Sequence, residues 1–217
     1  MIEIVLFDFD GTLVHTAPGI LNGFRRVFAD AGIIPAEPVD ERVIGPPLLD
    51  TLSRLSGVVD QSSLDRLSAA FKAWYDVEGV LQAEPYPGLD QMFDSLRANG
   101  RRAFVVTNKR ITAARAIAER LGISPQLAEL YSLDSLTPPA PRKRALVAHV
   151  LATHGIDPMA AVLVGDSAED AEAAAGNGVR FIAATFGYGA PLGVSDAPAV
   201  GALASIGELP DLLQRLA

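Results

Sequence analysis

The sequence predicts an α/β protein: a doubly wound parallel sheet (a Rossmann-like core) interrupted by an all-helical insertion. Three observations carry that expectation. Runs that read as strands buried on both faces recur at Ile2–Phe7, Ala103–Val106, "AAVLVG" and "VRFIAA". From Leu89 onward these runs alternate with amphipathic stretches of helical period. Between the first and second clear runs lie about 95 residues, far more than the dozen or so that a simple crossover needs.

In chain order, the first strand ends at Asp8 and Gly11-Thr12 marks a turn. Helices follow from roughly Pro18 to Ala83. Pro18 suits a first helical turn, and Ile20, Phe24, Val27, Phe28 and Ala31 recur at helical spacing up to Gly32. "GPPLLDTLSRL" reads as a loop opening a second helix, and "SSLDRLSAAFKAWYDVEG" as one long amphipathic helix. The alternating half then reads as helix Leu89–Ala98 stopped at Asn99-Gly100, strand Ala103–Val106 ending at Thr107, and helix Ile111–Leu121 stopped at Gly122. A weak strand in "AELYSLDS", a helix in "PRKRALVAHVLATHG", strand "AAVLVGDS", helix Ala168–Ala175, strand "VRFIAAT" and a closing helix "IGELPDLLQRL" complete it. The economical division is an α/β core of residues 1–15 and 86–217 with a helical cap, 16–85, over the carboxyl ends of the strands, where open α/β sheets bind ligands.

At 217 residues, 49% hydrophobic and 20% charged, the chain has ample material for a packed core. No apolar run approaches the roughly 18–20 residues of a membrane span, and the start lacks the basic and apolar regions of a signal peptide. The chain has no cysteine, which excludes disulfides and thiolate metal sites and fits a cytoplasmic setting. A net charge of −8 disfavours nucleic acid as a partner. Only three lysines occur, Lys72, Lys109 and Lys143.

The acids pose the chemical question. Asp8 and Asp10 end a buried strand, Asp166 ends "VLVGD", and Asp170 lies one helical turn further on. Buried carboxylates close together cannot all ionise without compensating charge. A hard divalent cation such as Mg²⁺, which prefers carboxylate, carbonyl and water oxygens, supplies it. Read alone, Asp166 and Asp170 would equally serve as an acidic first helical turn, and Thr107-Asn108 as a helix cap; the first pair of acids tips the reading.

"DFDGT", "VVTN" and "VGDSAED", in this order and spacing, resemble motifs of the haloacid dehalogenase-like (HAD) hydrolase superfamily, and "GPPL", "YPG", "TNK" and "FGYG" resemble its phosphoglycolate phosphatase-like branch. The resemblance implies a phosphatase acting on a small-molecule phosphate ester. Asp8 would be the nucleophile, forming an aspartyl-phosphate. Asp10 would act as general acid and then general base. Asp8, the backbone carbonyl of Asp10, and Asp166 would hold Mg²⁺, with Asp170 in support. Thr107 and Asn108 would donate hydrogen bonds to the phosphoryl group.

The chain departs from this pattern twice. Relatives often carry Lys-Pro-x-Pro before the next helix, and here Pro138 stands where the lysine would be. Lys143, at a helix N-terminus where a cation is mildly unfavourable unless an anion faces it, is the expected replacement, paired with Asp8 and the phosphate; Lys109 is the alternative. His15 stands where Asp is more frequent, and reads as a hinge or cap-facing residue. His149 and His154 read as solvent-facing or space-filling, and Gly187-Tyr188-Gly189 as a turn outside the site. Two other functions share the acids: a sugar-phosphate mutase of the same fold, and a phospho-accepting signalling module. Asp10 counts against a dehalogenase, which needs no acid there.

Overall fold

The computed structural model describes residues 1–189 and 199–216. Its centre is a parallel sheet of six strands: β1 (Ile4–Phe7), β4 (Arg102–Thr107), β5 (Glu129–Ser132), β6 (Ala161–Gly165), β7 (Arg180–Ala184) and β8 (Gly201–Leu203), in the order β5-β4-β1-β6-β7-β8. Every neighbouring pair is parallel, with Phe7 opposite Val105 on one side and Val164 on the other. β1 is therefore the strand at which the winding reverses, and the crevice beyond its carboxyl end is where such sheets bind ligands.

The period of two in these strands divides two apolar layers. Val5 and Phe7 face the layer that holds α4 (Leu89–Ala98), α5 (Ile111–Arg120) and α8 (Leu209–Arg215). Ile4 and Leu6 face the layer that holds α6 (Lys143–His154) and α7 (Ala168–Ala175). Both faces are covered, which is why the strands read as continuous apolar runs instead of alternating ones.

The chain leaves the sheet through β2 (Val14–His15) and returns through β3 (Glu84–Pro85), which pair antiparallel as a two-stranded ribbon. Between them lie α1 (Ala17–Ala31), α2 (Leu48–Ser56) and α3 (Gln61–Trp74). Their apolar faces, including Phe24, Phe28, Leu52, Leu55, Leu67 and Phe71, pack into one cluster continuous with the Val5–Phe7 layer. Asp60 caps α3, its side chain accepting the Ser63 N–H. Among the described residues no helix is long and apolar enough to cross a membrane.

The structure differs from the sequence expectation in local ways. The single helix expected over residues 62–79 is α3 followed by a π-helical turn, Tyr75–Gly79. The ribbon and β8 were not expected; strands of two or three residues are too short to carry a period. Leu6 is fully buried at the centre of the sheet. Leu6→Ala is expected to lower unfolding free energy by about 2–5 kcal/mol in urea titrations; a change below 1 kcal/mol would mean that the two layers close over the cavity.

Candidate active site

Four side chains converge because their strands are parallel and end together. Asp8 directly follows β1, its N–H donating to Val164 of β6 at 2.9 Å. Asp166 follows β6, Thr107 ends β4, and Lys143 is the first residue of α6. Asp8, Thr107, Lys143, Asp166 and Asp170 are all buried. With Asp10, the residues other than Asp170 line a cavity of about 140 Å³ between the strand ends and the insertion, which contributes Ile20, Phe24, Val43, Leu48, Phe71 and Tyr75 to its walls.

Lys143 Nζ lies 2.6 Å from Asp170 Oδ1 and 2.9 Å from Asp8 Oδ1. Burial alone would lower the ammonium's proton affinity; Asp170 and Asp8 more than reverse this, so Lys143 stays charged. Asp8, Asp166 and Asp170 each offer one oxygen within 4.8 Å of the other two. Three carboxylates against one ammonium leave two negative charges uncompensated if all ionise. Burial pushes the Asp8 carboxyl up, Lys143 pulls it back, and Asp170 and Asp166 push again, the balance standing at about 8. Asp166 rises to about 6, by burial and then by Asp170, against two backbone N–H groups that lower it.

The donor set suits a small hard dication. The oxygens are carboxylate, buried and clustered, and Asp8 Oδ1, although close to Lys143, sits outside hydrogen-bond geometry. Asp166 turns Oδ2 to the N–H groups of Tyr188 at 2.6 Å and Gly189 at 3.1 Å, which leaves Oδ1 for another partner. Asp170 is more committed: Oδ1 meets Lys143, while Oδ2 accepts the Ser167 N–H at 3.1 Å and hydroxyl at 2.5 Å. It holds Lys143 and the start of α7 in place.

The side-chain cluster holds the expected Asp8 and Asp166 and the expected support, Asp170; Asp10 was expected to contribute its backbone carbonyl, and its side chain lies outside the cluster. Asp170 stands with Asp8 and Asp166, while the carboxylate of Asp10, three residues beyond the strand, is held by Lys109 at 3.0 and 3.3 Å. Both candidate lysines lie at the site, on different aspartates. Thr107 Oγ1 accepts the Lys109 N–H at 3.2 Å, and Asn108 donates its amide to Glu169 at 2.6 Å and Gly45 at 3.3 Å.

The segment read as a plain turn, Gly187-Tyr188-Gly189, belongs to the site. Besides its two N–H groups on Asp166, the Tyr188 hydroxyl accepts the N–H groups of Thr16 at 2.7 Å and Ala17 at 3.0 Å, donors that open α1 without intrahelical partners. The same hydroxyl lies 2.9 Å from His15 Nδ1. The glycines were the available signal: a Cβ on Gly187 would collide with Asp166, so this loop can approach the carboxylate only without one. His154, read as space-filling, pairs with the Tyr131 hydroxyl at 3.0 Å, away from the site.

A parallel α/β core with buried acids at its strand ends and a helical insertion above them places this protein among the open α/β proteins that bind ligands at the sheet's carboxyl edge. Residues 5–184 match the family model described as haloacid dehalogenase-like hydrolase, and the chain belongs to that family. It is 34% identical over 218 residues to a phosphoglycolate phosphatase of Cereibacter sphaeroides, with 98% of each chain covered. It is 32% identical over 198 residues to that of Rhodospirillum rubrum, covering 87% of this chain and 81% of the relative. The tyrosine-protein kinase PtkA of Mycobacterium tuberculosis is 31% identical over 188 residues; that match takes in 86% of this chain and spans 63% of the kinase's length. Among solved structures, a haloacid dehalogenase-like family protein from Streptococcus pneumoniae superposes with a TM-score of 0.85 at 24% identity, covering 100% of this chain and 99% of the other. CbbY from Rhodobacter sphaeroides, solved with phosphate, superposes at 0.75 and 22% identity, with 96% of each chain covered. These likenesses share the fold.

Two outcomes follow from the acid cluster. A folded-state pKa above the ordinary 3.8 means that the folded protein keeps a proton which the unfolded chain has already released. The stabilisation that these two carboxyls contribute in the metal-free protein is therefore full below pH 3.8 and is lost as pH climbs through about 6 for Asp166 and about 8 for Asp8. Thermal melts in EDTA are expected to fall from pH 5 to pH 8, and Mg²⁺ to raise Tm more at pH 8 than at pH 5; equal increments would refute the link. Gly11, at φ 80°, brings its backbone against the Asp166 carboxylate, where a Cβ would collide. Gly11→Ala is expected to weaken Mg²⁺ binding by about 10–100-fold in calorimetric titration.

Proposed function

We propose that this chain is a Mg²⁺-dependent phosphatase that hydrolyses a small phosphorylated metabolite of the phosphoglycolate kind through an aspartyl-phosphate intermediate. Residues 1–15 and 86–217 form its catalytic core and 16–85 its cap. The observation that carries the reading is the buried Asp8 carboxylate, 2.9 Å from Lys143 and clustered with Asp166 and Asp170 at the switch point of the sheet. Family membership and the phosphoglycolate phosphatases among the relatives support the substrate class.

An oxygen of Asp8 attacks phosphorus. The ester P–O bond breaks, and the leaving oxygen takes a proton from Asp10. A water then attacks the same phosphorus while Asp10 takes its proton, and the acyl-phosphate P–O bond breaks to return Asp8 and inorganic phosphate. Lys143 favours the ionised form of Asp8 against burial and the neighbouring acids, and presents positive charge to the phosphoryl oxygens. Thr107 and Asn108 hold that group from the β4 side. Asp8, the carbonyl of Asp10 and Asp166 would hold Mg²⁺, with Asp170 behind them, and the ion when bound neutralises charge between carboxylate and phosphate.

Asp8→Asn is expected to abolish phosphate release from a phosphometabolite panel containing Mg²⁺ while leaving the circular dichroism spectrum unchanged; retained turnover would remove Asp8 as nucleophile. Asp10→Asn is expected to slow turnover by about 10²–10⁴-fold and to accumulate phosphoenzyme, seen as a mass increase of the intact protein after acid quench. A signalling module would hold its phosphoryl group with Asp10 intact, and a mutase would return it to sugar instead of releasing it to water.

A further inference from the structure

Lys109 is the second buried ammonium of the site, and the chemistry above gives it no role. Its side chain is 6% exposed. Nζ spans two parts of the molecule: 3.0 and 3.3 Å to the two oxygens of Asp10, and 2.7 Å to the hydroxyl of Tyr75 in the insertion. Its backbone is anchored on the sheet side, the N–H on Thr107 Oγ1 and the carbonyl accepting the Ser132 hydroxyl.

Tyr75 is aimed by packing. It is 3% exposed and its ring stacks on Phe71 at 5.3 Å and 10°. It opens the π-helical turn, which closes with the Val80 N–H on the Tyr75 carbonyl. Such turns re-aim side chains relative to an α-helix and gather at functional positions. Gly79 completes the fit, because a Cβ there would enter the Tyr75 ring. The neighbours of Lys109 also grip the insertion, Asn108 through the Gly45 carbonyl and Arg110 through Asp76. Of these three consecutive residues, only Lys109 passes the contact on to Asp10.

We propose that Tyr75 and Lys109 are positioning residues for Asp10: seating of the helical insertion is transmitted through the Tyr75 hydroxyl and the Lys109 ammonium to the carboxylate that takes the proton from water. The inference rests on the proposed role of Asp10. Asp10 lies in a loop, and its carboxylate has an otherwise free torsion; a two-oxygen contact with a buried ammonium fixes it. A buried ammonium cannot be left unpaired without a large desolvation cost, so Lys109 follows both partners. An ion-paired Asp10 is the form that accepts a proton, which places the effect on the second, hydrolytic half of the reaction. Misplacing a proton-transfer group by about 1 Å can slow a reaction by about 10²-fold.

The test is pre-steady-state turnover of 4-nitrophenyl phosphate with Mg²⁺, a substrate whose leaving group needs little protonation. Tyr75→Phe and Lys109→Met should each give a burst of nitrophenolate approaching one per enzyme, a steady-state kcat lowered roughly tenfold or more with KM falling in parallel so that kcat/KM stays within about threefold of the parent, and phosphoenzyme detectable by mass. Lys109→Arg should recover part of the rate. Asp76→Asn, which loosens the neighbouring clasp without touching Asp10, should give no burst. Asp10→Asn is the reference. If it shows no burst, the role of Asp10 fails; if it does and neither Tyr75→Phe nor Lys109→Met does, the positioning role alone is overturned. A faster second step in Lys109→Met would also overturn it, by showing that Lys109 restrains Asp10.

Discussion

The site is organised around a charge imbalance that the fold cannot remove. Parallel strands bring Asp8 and Asp166 to one edge, and Asp170 reaches back from the first turn of α7. One buried lysine faces them. Breaking up such a buried group of charges by removing one partner is strongly destabilising, by about 3–5 kcal/mol, so the arrangement is kept together by the penalty of losing any member. The remaining negative charge makes the edge attractive to a small hard dication.

The supporting elements are legible as answers to that imbalance. Tyr188 and Gly189 lend two backbone N–H groups to Asp166, Ser167 binds Asp170, and glycines at 11 and 187 clear the space around Asp166. The two N–H groups orient Asp166 Oδ2 and leave Oδ1 free, whereas Ser167 and Lys143 between them engage both oxygens of Asp170. Asp10 is treated separately: its compensating charge is Lys109, and through Tyr75 that pair belongs as much to the insertion as to the sheet. The two lysines therefore serve different aspartates, Lys143 beside Asp8 and Lys109 beside Asp10.

The insertion meets the core at several separate points near the strand ends. The β2–β3 ribbon carries the chain out and back, Tyr188 holds the first turn of α1, and residues 108–110 grip Gly45, Tyr75 and Asp76. The ribbon is a short two-stranded backbone pairing, whereas the other contacts are bonds made by side chains.

Much of this was readable along the chain because it is written in local patterns. Continuous apolar runs meant strands covered on both faces, their alternation with helices meant a parallel sheet, and a parallel sheet places every strand-ending polar residue, Asp8, Thr107 and Asp166 among them, at one edge. Elements of two or three residues, the β2–β3 ribbon and β8, carry no period and stayed hidden. So did the partners of the acids. Whether Lys109 or Lys143 meets Asp8, that Asp10 is joined to Tyr75 through Lys109, and that Tyr188 serves Asp166 are matters of side-chain direction between segments 22 residues apart or more. Pattern along a chain encodes which face is apolar and where a strand stops; distances between side chains arise only when packing has brought distant segments within a few ångströms.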